Sequence, residues 1–404
     1  MARARVRGPL PLLGPAFVTA IAYVDPGNFA TNISAGSTFG YLLVWVVIVS
    51  NLMAMLIQYL SAKAGIATGE SLPTLCRQHL PARLVHGLWI QAEVVAIATD
   101  LAEVIGGAIA LQLLFGLPML VGGLITATVA FGLLSFQTRG HRPFEVVITG
   151  LLAVILMGFL YDLIAGGVQP LAIVHGAVPR FDGQESILLA TGMLGATVMP
   201  HAIYLHGALT HDRYVTDTAE QRSSLLRSQR VDVVVAMTLA GLMNLALLVI
   251  AARLFSGRSG TVDTIEAAHA DLANIVGPVA ALLFALALLA SGLASSSVGT
   301  LSGQVVMEGY LRRQVPLVAR RLITLAPALV LLALEVDPTR ALVLSQVVLS
   351  FGIPFALVPL VMFTRRRDVM GDLANRRITT VTASLVAAVI IALNALLIVL
   401  TFFG

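Results

Sequence analysis

Asp25-Pro26-Gly27-Asn28 interrupts the first long apolar stretch of the chain, between Gly14–Val24 and Phe29–Gly40. A carboxylate near the middle of a bilayer costs about 2.5–3.5 kcal/mol on insertion scales. Pro26 removes a backbone donor and Gly27 loosens the backbone, so a helix should break here. A break at membrane depth is tolerated only where protein or an aqueous cavity surrounds it. An acid, an amide and unpaired carbonyls gathered at one break suit a cation, and that points to transport.

Composition sets the class. The 404 residues are 58% hydrophobic and 11% charged, with a mean hydropathy of +0.92. These values describe a polytopic membrane protein, expected as one transmembrane domain over 1–404 with no sizeable soluble part. The basic residues are scattered over short loops, which argues against a nucleic-acid partner. Cys76 is the single cysteine, which excludes an internal disulfide framework and any Cys-rich metal cluster. Arg3, Arg5 and Arg7 ahead of Ala20-Ile21-Ala22 resemble a signal peptide, but Pro9, Pro11, Gly14 and Pro15 spoil a compact apolar region. The first stretch is therefore read as a retained span.

Segments of roughly 17–25 apolar residues, enough to cross the hydrocarbon core, fall at about 13–38, 42–66, 84–114, 118–136, 144–166, 186–210, 229–254, 277–310, 319–336, 339–364 and 378–403. The N-terminus and the even-numbered connections hold 21 of the 25 Lys and Arg; the other side holds only Arg180, Arg253, Arg258 and Arg340. By the positive-inside rule the N-terminus is cytoplasmic and the C-terminus extracytoplasmic. The Arg-for-Lys bias, 24 Arg against Lys63 alone, reads as GC-rich bacterial coding, and a bacterial inner membrane is the expected location. In the outer connections, Thr261–Val276 reads as a surface amphipathic helix.

Span 6 repeats the oddity of span 1. Gly192, Gly195 and Pro200 punctuate Ser186–Thr210, and its second half is expected to begin near Ala202. Spans 1 and 6 lie five apart, and five is odd, so two five-span blocks run in opposite directions. That is the pattern of an inverted-repeat transporter with its site where the broken helices meet. The repeats are about 13–166 and 186–364, and span 11 is an addition.

Asp25-Pro26-Gly27-Asn28 in span 1 and Met199-Pro200-His201 in span 6 together resemble the natural resistance-associated macrophage protein (Nramp) family of proton-coupled divalent-metal transporters. The resemblance covers the whole chain in span number and order. It implies an all-α, eleven-span, LeuT-like fold and a metal site of Asp25, Asn28 and Met199. It further implies the backbone oxygens of Ala22 and Ala196, with Gln346 joining in some states. The chemistry of the breaks agrees. A half-helix ending near Val24 leaves its last carbonyls without intrahelical partners, and the half-helix before Met199 does the same at Ala196. Helix C-termini are negative ends and suit cations. A thioether among oxygens tilts the set from Mg²⁺ and Ca²⁺ toward Mn²⁺ or Fe²⁺, with Co²⁺ and Cd²⁺ also admitted. Read singly, Met199 is ordinary apolar filler and Gln346 an interhelical hydrogen-bonder.

Glu93, Asp100 and Glu103 in span 3, at spacings of seven and three, share one helical face. Three acids on a face avoid lipid, so they line a polar route or pair internally. Arg320 and Arg321 at the start of span 9, with His201, are the natural partners. The resemblance implies proton movement through Asp25, Asp100, Glu103, His201 and Arg321, with Arg320 and Glu93 nearby; a static salt-bridge network is the alternative. Asn51 and Gln58 in span 2, His206, and Asn244 in span 7 are candidates to line the metal's path, against a default of interhelical hydrogen bonding. Asp232 falls with them, and the Gly/Ser run 291–303 reads as close helix packing. Asn32-Ile33-Ser34 matches a glycosylation pattern but lies within span 1.

The sequence thus leads to proton-coupled metal import by alternating access. No enzyme is expected, since Gly-x-Ser-x-Gly and His-Glu-x-x-His are absent. No cofactor is expected beyond the transported metal and protons, and a monomer in the bilayer is the expected assembly. The rival is a sodium-coupled amino-acid or organic-solute symporter on the same fold, though Asp25 would repel a substrate carboxylate.

Overall fold

The computed structural model describes residues 4–5, 14–138, 141–215, 218–257, 264–312 and 317–403. Among them it is almost entirely helical; the one strand pairing is a two-residue parallel bridge between Ala4–Arg5 and Tyr214–Val215. Helices stand at all eleven expected places. The first place holds α1 (Pro15–Ala20), a 3₁₀ turn (Ile21–Val24) and α2 (Pro26–Phe39); then come α3 (Val44–Thr68), α4 (Leu72–His79), α5 (Ala82–Phe115), α6 (Met119–Thr138) and α7 (His141–Gly166). After α8 (Pro170–Gly176) follow α9 (Gly183–Thr197), α10 (Pro200–Arg213), α11 (Ala219–Leu254), α12 (Ile265–Ile275) and α13 (Pro278–Leu311). The chain ends in α14 (Leu317–Ala333), α15 (Pro338–Thr364), α16 (Arg367–Met370) and α17 (Arg377–Phe403). By length and composition eight of the described helical stretches are apolar enough to cross a membrane; Pro15–Val24 and Met119–Gly132 are shorter, as is the 17-residue α14.

Local chemistry explains most helix starts. Pro15, Pro26, Pro170, Pro200, Pro278 and Pro338 are each a first helical residue, where the missing N–H costs nothing. Span 7 was expected from 229, yet α11 begins at Ala219. Thr218 and Gln221 form a capping box there, and hydropathy is blind to the charged turns that precede the apolar part. The outer surface helix is present as α12, capped by Thr264; residues 261–263 of the expected stretch lie outside the described residues. The Arg3, Arg7, Pro9 and Pro11 of the signal-peptide reading also lie outside them, while Ala20, Ile21 and Ala22 are fully buried. Three short helices in connections, α4, α8 and α16, had no sequence counterpart.

The packing obeys an exchange of the two repeats. α3 lies on α10 as α11 lies on α2; α5 lies on α15 as α13 lies on α7; α14 lies on α5 as α6 lies on α13. The two equivalent third spans, α5 and α13, pack on each other through glycines: a Cβ on Gly292 would sit 3.1 Å from the Glu103 carbonyl and from Gly107 N. α17 stands outside this exchange, against α15 and α9. Large apolar side chains such as Leu52, Ile164, Leu322 and Ile378 are exposed around the bundle, the surface of a multi-pass membrane protein.

Candidate functional site

Both interruptions are breaks in the backbone. Asp25 is extended (φ −77°, ψ 170°) between the 3₁₀ turn and α2, and its side chain caps α2. At the second break Val198 (φ −105°, ψ 72°) and Met199 (φ −78°, ψ 124°) leave helical geometry. The second half-helix begins at Pro200, not near Ala202, because Met199 takes the cap position and the proline then suits the first turn.

One amide ties the breaks together. Asn28 Nδ2 donates to Asp25 Oδ1 at 2.8 Å and to the Ala196 carbonyl at 3.0 Å, while Asn28 N also donates to Asp25 Oδ1 at 2.8 Å. Asp25 Oδ2 is buried without a hydrogen-bond partner, and so is Gln346 Oε1. Gln346 Nε2 donates to Ser345 Oγ at 3.2 Å, and its side chain lies so close over Gly27 that a Cβ there would fall 1.8 Å from Nε2. This is where Gly27 is needed: any side chain would evict Gln346. Met199 and Ala22 are fully buried in the two breaks. The next carbonyls after Ala22 are taken, Tyr23 O by Asn244 Nδ2 (2.7 Å) and Val24 O by Ser291 Oγ (2.6 Å). The six expected metal-site residues thus all belong to the two breaks or to α15 beside them. Among the described residues no cluster of three or more His, Cys, Asp or Glu side chains could hold a metal, so beside the Asp25 carboxylate any ion here relies on amide, carbonyl and thioether donors.

The span 3 acids divide among different partners. Arg320 Nη2 pairs with Glu93 Oε2 at 3.4 Å, and Arg321 Nη1 with Asp100 Oδ1 at 3.0 Å. Arg321 also donates to Ser296 Oγ, Thr300 Oγ1 and the Ser296 carbonyl of α13. Glu103 is fully buried with neither oxygen hydrogen-bonded, facing Gly299, where a Cβ would sit 2.9 Å from Oε1. The charged groups acting on it are Asp100, Arg321 and Asp25. His201 bonds no acid; its Nδ1 meets Thr99 Oγ1 at 3.3 Å and its carbonyl accepts from Ser302 Oγ at 2.7 Å.

Three of the four path candidates join one hydrogen-bonded chain. His206 Nδ1 lies 2.8 Å from Gln58 Oε1, and Gln58 Nε2 donates to the Tyr23 hydroxyl. From the Tyr23 carbonyl the chain continues through Asn244, whose Oδ1 accepts from Asn32 Nδ2 at 2.9 Å; Asn32 Nδ2 also donates to the Asn28 carbonyl at 2.9 Å. Asn51 stands apart, donating to the Met237 carbonyl across the α3–α11 seam at 3.0 Å.

Sequence reasoning passed over three roles. Asp232 of α11 accepts from Gly14 N (3.1 Å) and Ala16 N (3.2 Å), holding the start of the half-helix α1. The run 291–303 is more than close packing: Ser291 bonds the first break, Ser302 the turn after the second, and Ser296 with Thr300 holds Arg321. The signal was available, since residues 291 and 302 are eleven apart, close to three full turns, and share a face. Tyr23 and Asn32 gave no signal without their partners.

Residues 16–400 match the model of the natural resistance-associated macrophage protein-like family. A Bacillus subtilis protein, "Divalent metal cation transporter MntH", is 51% identical over 397 residues, covering 98% of this chain and 93% of its own length. A Mycobacterium tuberculosis protein of the same description is 54% identical over 397 residues, covering 97% and 92%. The crystal structure of an Eremococcus coleocola manganese transporter superposes with a TM-score of 0.86 at 33% identity, over 95% of this chain and 85% of that one. The nucleobase-cation-symport-1 transporter Mhp1 shares the fold, with a TM-score of 0.64 at 16% identity. On these matches, and with the two motifs sitting in two broken helices of a LeuT-like fold, the chain belongs to the natural resistance-associated macrophage protein family.

Proposed function

We propose that this protein imports divalent transition-metal ions, Mn²⁺ or Fe²⁺ foremost, together with protons, by alternating access at the two helix breaks. The observation that carries the reading is the Asn28 amide held between Asp25 Oδ1 and the Ala196 carbonyl, one oxygen from each break. A small cation suits the same place, since it satisfies converging oxygens as the amide hydrogens do. Asp25 Oδ2 and Gln346 Oε1 are further buried oxygens with capacity to spare. The relatives named as divalent metal cation transporters support the same cargo.

Binding would recruit Asp25, Asn28, Met199 and the carbonyls of Ala22 and Ala196, with Gln346 as an added oxygen. The Met199 thioether favours transition metals over Ca²⁺ and Mg²⁺, and Co²⁺ and Cd²⁺ fit the same donors. A metal arriving at Asp25 displaces a proton more readily if a nearby acid accepts it. Glu103 is suited to that, with two unpaired oxygens and electrostatic contact to Asp25 and Asp100. Asp100, Arg321, His201, Arg320 and Glu93 would carry the proton onward. The chain Gln58, His206 and Asn244 would conduct metal released on the opposite side of the site. The cargo enters and leaves chemically unchanged in this scheme, which is that of a transporter with no enzymatic step proposed. The clustering of basic residues on one side supports a cytoplasmic N-terminus; a bacterial inner membrane and a monomeric working unit complete the proposal.

The test is uptake into proteoliposomes across Mn²⁺, Fe²⁺, Co²⁺, Cd²⁺, Ca²⁺ and Mg²⁺ with internal pH recorded together. Saturable Mn²⁺ or Fe²⁺ uptake with acidification is expected. Uptake of an amino acid driven by Na⁺, with none of metal, would overturn the reading in favour of the symporter.

A further inference from the structure

α15 runs unbroken from Pro338 to Thr364 although it contains Pro354. Proline has no N–H, so the carbonyl four residues earlier, that of Ser350, loses its helical donor. An unsatisfied buried carbonyl costs roughly 1–3 kcal/mol, and at membrane depth the replacement donor must come from protein or bound water. Here another helix supplies it. Asn394 Nδ2 of α17 donates to the Ser350 carbonyl at 2.9 Å, and Ser350 Oγ donates back to Asn394 Oδ1 at 2.9 Å. Both residues are buried. Between Ile378 and Phe403, Asn394 is the only residue bearing an amide or an ionisable group.

The turn so completed, from Ser350 to Pro354, directly follows the turn that carries Gln346. Gly195 of α9, the residue before Ala196, presses on it: a Cβ there would lie 1.9 Å from the Gln346 carbonyl oxygen and 2.9 Å from Ser350 N. The Gln346 side chain in turn lies over Gly27. The stretch from Gln346 to Ser350 therefore touches both breaks, and Asn394 anchors its last residue.

We infer that Asn394 is a positioning residue: by supplying the donor that Pro354 lacks, it closes the α15 turn 350–354 and anchors Ser350, and with it the preceding turn that holds Gln346 at the two breaks. The eleventh span, which lies outside the repeats, is on this account a working part of the transport site. An apolar side chain would suffice at 394 if α17 served only to face lipid. The inference rests on reading the breaks as the metal site, and its test separates the two.

Asn394→Leu keeps the branched shape, at a larger volume, and removes both hydrogen bonds. At equal amounts of reconstituted protein, its KM for Mn²⁺ should rise at least fivefold, with a smaller change in the saturated rate. Ser350→Ala removes only the hydroxyl bond and should stay within twofold of the wild type. Pro354→Ala returns an N–H to the Ser350 carbonyl, so Pro354→Ala with Asn394→Leu should stay within twofold of Pro354→Ala alone. Amide hydrogen exchange over residues 346–354, read without metal, should quicken at least tenfold in Asn394→Leu and be relieved by Pro354→Ala. If Pro354→Ala does not fold, the contrast between Asn394→Leu and Ser350→Ala decides. A wild type that moves no Mn²⁺ would sink the metal reading and leave exchange to judge Asn394. Unchanged KM and exchange in Asn394→Leu, equal effects in Ser350→Ala, or no relief by Pro354→Ala would each overturn the inference.

Discussion

Asp25 has two jobs that one pair of substitutions can separate. Its Oδ1 caps α2 by accepting from Asn28 N and Nδ2, while its Oδ2 makes no hydrogen bond. Asp25→Asn keeps an oxygen at the capping position and removes only the charge. Asp25→Ala removes both, and loss of an N-cap costs about 1 kcal/mol, within a range of roughly 0.5–2. For the metal, a carboxylate about 4 Å from a divalent ion gains roughly 8 kcal/mol at an effective dielectric near 20, twice the unit-charge value. Desolvation of several kcal/mol per ion offsets much of this. A remainder of only about 1.4 kcal/mol is still a tenfold loss of affinity. Both variants should therefore bind Mn²⁺ at least about tenfold more weakly by isothermal titration. Only Asp25→Ala should also lose thermal stability in detergent. Asp25→Asn with Mn²⁺ affinity within threefold of the wild type would refute the reasoning, since it would leave Asp25 as a cap and nothing more.

Met199→Ala should shift selectivity more than folding: without the thioether, Ca²⁺ and Mg²⁺ should compete better against Mn²⁺ and Cd²⁺ uptake, and an unchanged competition profile would make Met199 packing. In a Cys76→Ser background, Glu185→Cys should react with an impermeant thiol reagent from outside and Ser224→Cys should not; the reverse would overturn the orientation. Glu185 is preferable to its neighbour Gly183, whose φ of 72° makes any side chain strained there. Glu103→Ala or Asp100→Asn should lower proton flux or the pH dependence of uptake while changing Mn²⁺ binding far less than Asp25→Asn does. Wild-type proton flux in both would leave the span 3 acids as a structural network.

The helices and their breaks were legible because each rests on a local rule: an apolar run of bilayer length, a proline, a glycine, an acid out of place. Span 7 shows where that ends, since the capping box at Thr218 lies outside the apolar window and the helix starts earlier than hydropathy allows. The candidate site was legible in its residues and much less in its bonds. The spacing of Glu93, Asp100 and Glu103 places them on one face, but it cannot say that the first two take an arginine each and the third takes none. Nor could it say that His201 meets Thr99, because that contact depends on how α10 settles against α5. Asn244 and Gln58 looked alike as buried amides; Asn51 did too, yet only it remains in a simple helix seam. Position along a helix gives a side chain's direction, while its partner is decided by the crossing of two helices.

α13 shows what that crossing decides. Through Ser291 it takes the Val24 carbonyl of the first break, and through Ser302 it takes the His201 carbonyl in the first turn after the second. Between these two serines, Ser296 and Thr300 hold Arg321 and Gly299 admits Glu103. One face of one helix thus meets both halves of the candidate metal site and the buried acid Glu103. Displacing either broken helix along α13 exchanges one of these serine bonds, each a net contribution of roughly 1 kcal/mol. That is small enough for movement at ordinary rates. It is also large enough that rearranging a break and rearranging the surroundings of Glu103 are coupled through the same helix. On the proposed function, metal and proton would then influence each other through α13 without sharing a ligand other than Asp25.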